Sequence, residues 1–516
     1  MKAKYVTFFI ILLTSYSYAQ EPADALRYSF LTQDGGTARN QAIGGAGGSL
    51  GGEFSSLFIN PAGLGFYKTG DFAFTPRFSM KNSKSEYRAT KASNNSTNFN
   101  LGTTGVLFAS PSAPGKSVKS FTFGLGINRI ADFNNHVYYR GTNKSSSYSE
   151  KYLEELIDNN VTDPNSAAQK YPYGSSLAFN TYLIDAIFNP DSTISGYTTQ
   201  ADPSYGLLQE NTINTSGGIT DLAIGAGLNV QEKWYFGGTL SFPILKYNRD
   251  ATYRESDQSG DSNNDFNYFE AIESLQTRGI GVNGKFGIIF KPVEDVRLGL
   301  AAHTPTFYSL TDNYVTEVIT DLEGYGGAGI KHQSSTDFPD ADGQTGQPLE
   351  SRYNIITPWR VILSGTYLFH GVENVEQQRG FVTADVEYVN YKDASFKAER
   401  NDTEGKDYYN SLNKTIGNLY TSAINVRLGG ELKFNTFMVR LGGAYYGNPY
   451  KDDKSNLIKV SGGVGYRNKG FFIDLTYVQS MNKDVDYPYL LQDKANVPAY
   501  LKNNAGNIVA TIGFKL

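Results

Sequence analysis

Residues 506–516 read Gly506-Asn507-Ile508-Val509-Ala510-Thr511-Ile512-Gly513-Phe514-Lys515-Leu516. In an extended segment Ile508, Ala510, Ile512, Phe514 and Leu516 fall on one face, and Val509, Thr511, Gly513 and Lys515 on the other. A strand sends successive side chains to opposite sides. One face is therefore wholly apolar and the other mixed, the pattern of a strand between lipid and a lumen.

The same pattern recurs upstream. Ile424, Val426, Leu428, Gly430, Leu432 and Phe434 share a face opposite Asn425, Arg427, Gly429, Glu431 and Lys433. Phe437, Val439, Leu441, Gly443 and Tyr445 oppose Met438, Arg440, Gly442 and Ala444. Ile458, Val460, Gly462, Val464 and Tyr466 oppose Lys459, Ser461, Gly463, Gly465 and Arg467. None of these apolar faces carries a charge. A Lys or Arg facing mid-membrane lipid costs about 2–4 kcal/mol, which gives that absence a cause.

From Asp71 onward there are fourteen strand candidates, at 71–88, 98–110, 119–139, 215–230, 233–255, 268–291, 294–318, 351–369, 380–400, 416–434, 436–447, 457–468, 470–482 and 506–516. Their connections alternate between short turns (231–233, 292–295, 435–436, 468–469, with 110–118 and 370–379 longer) and long loops (81–97, 140–214, 256–267, 319–350, 401–415, 448–456 and 483–505). Two length classes and an even count predict an all-β fold, a transmembrane antiparallel barrel with both termini in the periplasm. A soluble sandwich or propeller would also alternate, but its connections would not divide this way.

Residues 1–19 have the form of a signal peptide: Lys2 and Lys4, a short apolar core from Val6 to Leu13, then Ser17-Tyr18-Ala19 before Gln20. That core is too short for a membrane-spanning helix, and no later apolar run reaches about 18 residues. The chain of 516 residues holds 54 Gly, 37 Tyr, 32 Phe and no Cys, with net charge −5. Disulfides are ruled out, and nucleic acid is not an expected partner.

Residues 20–70 do not alternate. They carry four glycine pairs, Gly35-Gly36, Gly44-Gly45, Gly47-Gly48 and Gly51-Gly52. A flexible linker is one reading. The apolar cluster Phe54, Leu57, Phe58, Ile59 and Leu64 argues for packing instead.

The 140–214 insertion, wholly extracellular in this topology, holds two helix candidates. Ser147 and Glu150 form a possible capping box ahead of Tyr152, Leu153, Leu156 and Ile157. The segment 175–188 carries Leu177, Phe179, Tyr182, Leu183 and Ile187, with Phe179, Leu183 and Ile187 as the best stripe. They either pack over the barrel mouth or offer a greasy ligand its first contact.

No catalytic constellation is visible. His136, His303, His332 and His370 lack metal-ligand spacing, and there is no nucleophile elbow, P-loop or dinucleotide fingerprint. No enzyme, cofactor or resident metal is expected. If Asn435-Thr436 is a two-residue turn, Phe434 pairs with Phe437, and Glu431 faces Arg440 as a cross-strand ion pair. Arg427 and Lys459 lack so obvious a partner and are candidate contacts for an anionic head group.

The run Ala42-Ile43-Gly44-Gly45-Ala46-Gly47, followed by Ser55-Ser56-Leu57-Phe58-Ile59-Asn60-Pro61-Ala62-Gly63-Leu64, resembles the start of the FadL-type outer-membrane transporters, with Asn60, Pro61 and Ala62 at their Asn-Pro-Ala motif. The resemblance implies fourteen strands (71–516) around an N-terminal hatch (20–70). It implies capture of a hydrophobic ligand such as a long-chain fatty acid, and lateral exit at an inward kink of the third strand. Gly124, Gly126 and Asn128 are the candidate kink residues. The long 140–214 insertion departs from a typical member. A monomer in the outer membrane of a Gram-negative bacterium is expected. The alternative is a FadL-like scaffold or shuttle barrel for secreted proteins; a general diffusion porin is disfavoured by the hatch.

Overall fold

The computed structural model describes residues 20–30, 35–340, 342–369, 379–399, 402–451 and 457–516. The expected signal peptide and His370 lie outside them.

Fourteen antiparallel strands form one closed wall. They are Asp71–Phe74 with Pro76–Tyr87, Thr90–Leu101 with Thr104–Pro111, Val118–Asp132 with Asn135–Asn143, Leu207–Val230, Trp234–Asp257, Tyr268–Val293, Val296–His303 with Phe307–Asp321, Leu349–Ile356 with Arg360–Phe369, Gly380–Asn390 with Ser395–Ala398, Ser422–Phe434, Phe437–Tyr446, Leu457–Asn468, Phe471–Asp486 and Ala499–Lys515. The last strand returns to the first, from Asp71↔Lys515 to Glu86↔Tyr500. Closure satisfies the backbone groups that an open sheet edge would leave bare in lipid.

The assigned facing holds. On the tenth to twelfth strands the apolar members of each alternating pair are exposed and their neighbours buried, so Val426 is 41% exposed and Arg427 fully buried. Phe434 pairs with Phe437 and Glu431 with Arg440 across the Asn435-Thr436 turn. Ile508 and Phe514 face out, while Val509 and Thr511 face in.

Several boundaries differ from the sequence reading, among them the start of the last strand, at Ala499 rather than 506. The loop expected at 81–97 is a two-residue hairpin turn, Arg88-Ala89, with φ of 46° and 64°. Its arms are rich in Ser and Asn because they continue beyond the lipid-facing residues Phe78, Met80 and Phe99, where no apolar pattern is required. The fourth strand begins at Leu207. The tenth begins at Ser422, because 403–419 forms a helix instead.

Among the described residues, the backbone pairing is interrupted between the second and third strands. The second strand bonds to the third only from Thr104 to Pro111; no pairing among the described residues joins Thr90–Leu101 to the third strand. The third strand carries a register shift between Arg129 and Ala131 and breaks at Phe133-Asn134. Beyond the break Asn135–Asn143 stays paired to the fourth strand but swings inward behind the first. Ser85 Oγ donates to the Tyr138 carbonyl at 2.6 Å, and the Tyr139 hydroxyl reaches Asp486 on the thirteenth strand at 2.6 Å.

Leu516 lies at the short-turn end, its N–H donating to the Gly70 carbonyl. Gln20, the residue expected to follow the signal peptide, does not lie beside it. It is buried on the long-loop side of the lumen, with Nε2 donating to Asp312 at 2.6 Å and its carbonyls accepting from Tyr408 and Tyr409. The cause is the helix Pro22–Ser29, whose Ala25, Leu26 and Tyr28 bury apolar surface in the barrel interior.

Val426→Arg places a charge in the lipid-facing belt at a cost of about 2–4 kcal/mol. The fraction of heat-resistant, fast-migrating barrel on semi-native gels should fall sharply, while Val426→Leu should match the parent.

Candidate functional site

The lumen is organised by residues 35–70, which pack on the inward face of the wall. The approach is backbone to backbone. A Cβ built on Gly442 would lie 2.2 Å from Gly44 N, and one on Gly429 2.2 Å from the Ile43 carbonyl oxygen. On the opposite side a Cβ on Gly237 would meet Pro61 C at 2.2 Å. The alternation that keeps one face apolar for lipid therefore places glycines on the other face where the hatch lies.

Polar contacts fix the seat. Thr511 Oγ1 accepts from Ala38 N at 2.7 Å, Thr476 Oγ1 donates to the Ala38 carbonyl at 2.7 Å, and Asp385 accepts from Gly48 N at 3.0 Å. Arg39 grips Glu431 bidentately at 3.0 and 3.1 Å. Glu431 also accepts from Arg440 Nε at 2.6 Å, and Arg440 reaches Asp474 at 2.5 Å. The ion pair read from the hairpin register is thus half of a larger arrangement that anchors the hatch. Arg39 escaped the sequence reading because its partner is 392 residues away.

The Asn60-Pro61-Ala62 motif has a mechanical role. Asn60 Oδ1 accepts from Ala62 N at 3.1 Å, capping the short 3₁₀ helix Pro61–Phe66 with Pro61 at its first position. Asn60 Nδ2 donates to the Gly48 carbonyl at 2.6 Å and points toward the wall carbonyls of Ile288 and Leu300 at 3.5 Å. Phe54, Leu57, Phe58 and Leu64 come together with Leu107 and Ala223 of the wall.

Gly124 and Gly126 belong to this seat rather than to the kink. A Cβ on Gly126 would lie 3.0 Å from the Phe54 ring, and one on Gly124 2.4 Å from Leu107. Asn128 accepts from Gly36 N at 3.0 Å and from Thr103 Oγ1 at 2.9 Å. The kink lies downstream, at residues 129–134, where the bulge interrupts the ladder.

Beyond the hatch the interior has two sides. One is apolar and aromatic, with Tyr28, Tyr247, Tyr308, Tyr353 and Phe396 around the helix Pro22–Ser29 and the helix Thr403–Leu419. The other is a polar cavity of about 470 Å³. Lys459 borders that cavity. Arg427 does not: it is buried against Glu387 at 2.9 Å, a partner invisible in sequence. Its assignment as a head-group contact is corrected, since the guanidinium is engaged in the wall. His136, His303 and His332 stand apart, and among the described residues no His, Cys, Asp or Glu cluster could hold a metal.

The 140–214 insertion is a packed cap, and the helix expected over 175–188 is corrected. The helix spans only Ser175–Asn180. Tyr182 turns to φ 60°, and Ile184–Phe188 pairs with Ile194–Thr199 as a hairpin. Strand alternation suits the β-branched Ile184 and Ile187. Leu177 and Leu183 are fully buried in the cap core, Phe179 packs against it, and only Tyr182 and Ile187 are exposed. The five residues do not form one ligand groove.

Glu255 ties the cap to the wall. It lies beyond Ile244, the last large apolar residue exposed on the outer face of its strand. Its carboxylate accepts from Ser147 Oγ at 2.5 Å, Tyr148 N at 2.8 Å, Tyr253 at 2.7 Å and Gln209 at 2.8 Å. Burial pushes the carboxyl up to about 7, only partly offset by those donors.

No protein-family model matches the chain, and no curated protein matches it in sequence. Solved structures do. A FadL homologue from Pseudomonas aeruginosa superposes with TM-score 0.52 at 14% identity, over 94% of this chain and 99% of that one. The toluene transporter TodX of Pseudomonas putida gives 0.50 at 12% identity, over 94% and 99%. The chain has the FadL fold. Within that fold, the polar cavity and the packed cap are features of this chain's own side chains.

Two measurements test this account of the FadL-fold lumen. Gly442→Val drives a side chain into the hatch backbone and should expose Arg39 to trypsin in purified barrels. Gly365→Val, with nothing within 4 Å of its Cβ, should not. For Glu255, a carboxyl raised above its unfolded value of about 4.3 gives a contribution that is full below that value. It is lost as pH rises from there to about 7. Limited proteolysis should therefore find the cap more resistant at low pH than at high pH. Glu255→Gln should flatten that difference.

Proposed function

We propose that this FadL-fold barrel is an outer-membrane channel for passive uptake of hydrophobic small molecules, long-chain fatty acids among them. The observation that carries the reading is the aromatic compartment inside the lumen, adjoining the wall discontinuity at the third strand. Burying apolar ligand surface there contributes about 25 cal/mol per Å². The helix Pro22–Ser29 fills that compartment, so a ligand competes with it. The ligand enters from the long-loop side and leaves at the kink, and the hatch blocks leakage of hydrophilic solutes. No nucleotide-binding motif appears in the sequence, so the driving force is the solute's own gradient.

The second reading, a scaffold for secreted proteins, draws on the cap hairpin, where Ile187 and Phe188 are exposed beside a tight turn. Reconstituted liposomes separate the two. Fluorescent fatty acid and toluene should enter barrel-containing vesicles faster than empty ones, and deleting residues 35–60 should admit small hydrophilic antibiotics. Uptake at the empty-vesicle rate for every hydrophobic probe, with a secreted protein captured through Ile187 and Phe188, would favour the scaffold.

A further inference from the structure

On the outer face of the fifth and sixth strands the apolar belt ends at a pair of like charges. The belt begins at Trp234, which pairs with Phe290 and stacks on it with ring centroids 4.3 Å apart. It ends at Ile244, which pairs with Ile280, the two being 49% and 54% exposed. That span is about 33 Å along a strand, or about 25 Å of membrane depth at the usual strand tilt. The apolar band of an outer-membrane barrel has that height. The next outward pair therefore stands where the hydrocarbon of the long-loop leaflet gives way to its head groups. That pair is Lys246 and Arg278, both exposed and directly opposite in register.

Like charges directly opposite destabilise a ladder, and nothing among the described residues answers these two. Neither forms an ion pair there, and Arg278 Nη2 only donates to Gln276 at 3.4 Å. The nearest carboxylate on the outer face of the two strands is Asp250, which accepts from Ser274 at 2.8 Å. It lies about 13 Å further along its strand, beyond the roughly 8 Å screening length of physiological salt. Arg352 shares the cross-strand row through Thr311 but is already paired with Glu350 at 2.7 Å. Snorkelling to the interface accounts for one cation at this depth. It does not account for two placed face to face. Asn248 and Gln276 form the next pair outward, with Asn313 beside Gln276. Their amides both donate to and accept from hydroxyl groups.

We propose that this patch binds a phosphorylated, sugar-headed lipid of the outer leaflet. Its phosphate lies between Lys246 and Arg278, outer sugars meet the amides of Asn248 and Gln276, and acyl chains run down over Ile244 and Ile280. Along the strands the order is apolar, cationic, amide, which is the order of acyl chain, phosphate and outer sugar in such a lipid. A phosphate anion brings the two cations charge-assisted hydrogen bonds and relieves their repulsion. The proposal rests on an outer-membrane barrel with its long loops outside, and not on what the lumen carries.

Native mass spectrometry of the full chain in a non-ionic detergent tests it, with diphosphoryl lipid A, its phosphate-free counterpart, phosphatidylglycerol and inorganic phosphate as probes. Diphosphoryl lipid A should bind, and the phosphate-free form should bind at least about tenfold more weakly. Lys246→Glu turns the repelling pair into an ion pair. It should abolish lipid binding without lowering the barrel's melting temperature in lipid-free detergent. Arg278→Gln should weaken binding about tenfold. Lys91→Gln, at the tip of the first hairpin, should bind as the parent does. Heat-resistant gel mobility reports that each variant is assembled; if Lys246→Glu is not, Arg278→Gln carries the test. Equal binding of the phosphate-free lipid would overturn the proposal, as would no binding of diphosphoryl lipid A by the parent. Phosphatidylglycerol bound as tightly as diphosphoryl lipid A would mean a site for any anionic lipid and would overturn it. So would binding of inorganic phosphate alone, or parental binding by Arg278→Gln. Because the readout is lipid binding in detergent, failure here leaves the uptake result untouched.

Discussion

The rest of the structure depends on how closely one backbone lies against another. Ile43 and Gly44 touch the wall where Gly429 and Gly442 offer no side chain, and Pro61 does the same at Gly237. Each contact removes a void that a fourteen-stranded lumen would otherwise hold. Each also places hatch N–H and carbonyl groups within reach of inward Thr, Ser and Asp side chains, so that close approach and polar satisfaction come together. One alternation thus serves two purposes: on each strand one set of alternate positions meets lipid, and the other accepts the hatch.

The anchoring charges follow from the same geometry. Glu431 and Arg440 face inward because Leu432 and Val439 face outward. Alone they would be a buried pair of doubtful net value, since desolvation opposes their attraction. Arg39 gives them a further partner and a further consequence, because their burial becomes conditional on the hatch being seated.

Much of this was legible in the sequence, and the limits have physical causes. All fourteen strands could be read, because lipid imposes alternation wherever a strand crosses it. Alternation stops where lipid stops, so the Arg88-Ala89 hairpin and the Ser/Asn-rich segment before Phe99 looked like loop. The apolar residues at 175–188 fit a helix or a hairpin equally by spacing, and Tyr182 decides in favour of a turn only through its backbone. Arg427 seemed available because Glu387 is remote in sequence, although the two are neighbours across one ladder. The hatch motif could be located, but its partners, bare glycines on distant strands, have no signature beyond being glycine.

The buried position of Gln20 bears on the order in which the molecule is made. The seam of the barrel joins Asp71 to Lys515, so the wall closes only when the end of its sequence finds the beginning. In the closed barrel the segment ahead of Asp71 lies inside, with Gln20 beyond the hatch on the far side of the lumen. Contacts of such sequence separation form slowly, which leaves time for the N-terminal segment to act as the mandrel on which the late strands are laid.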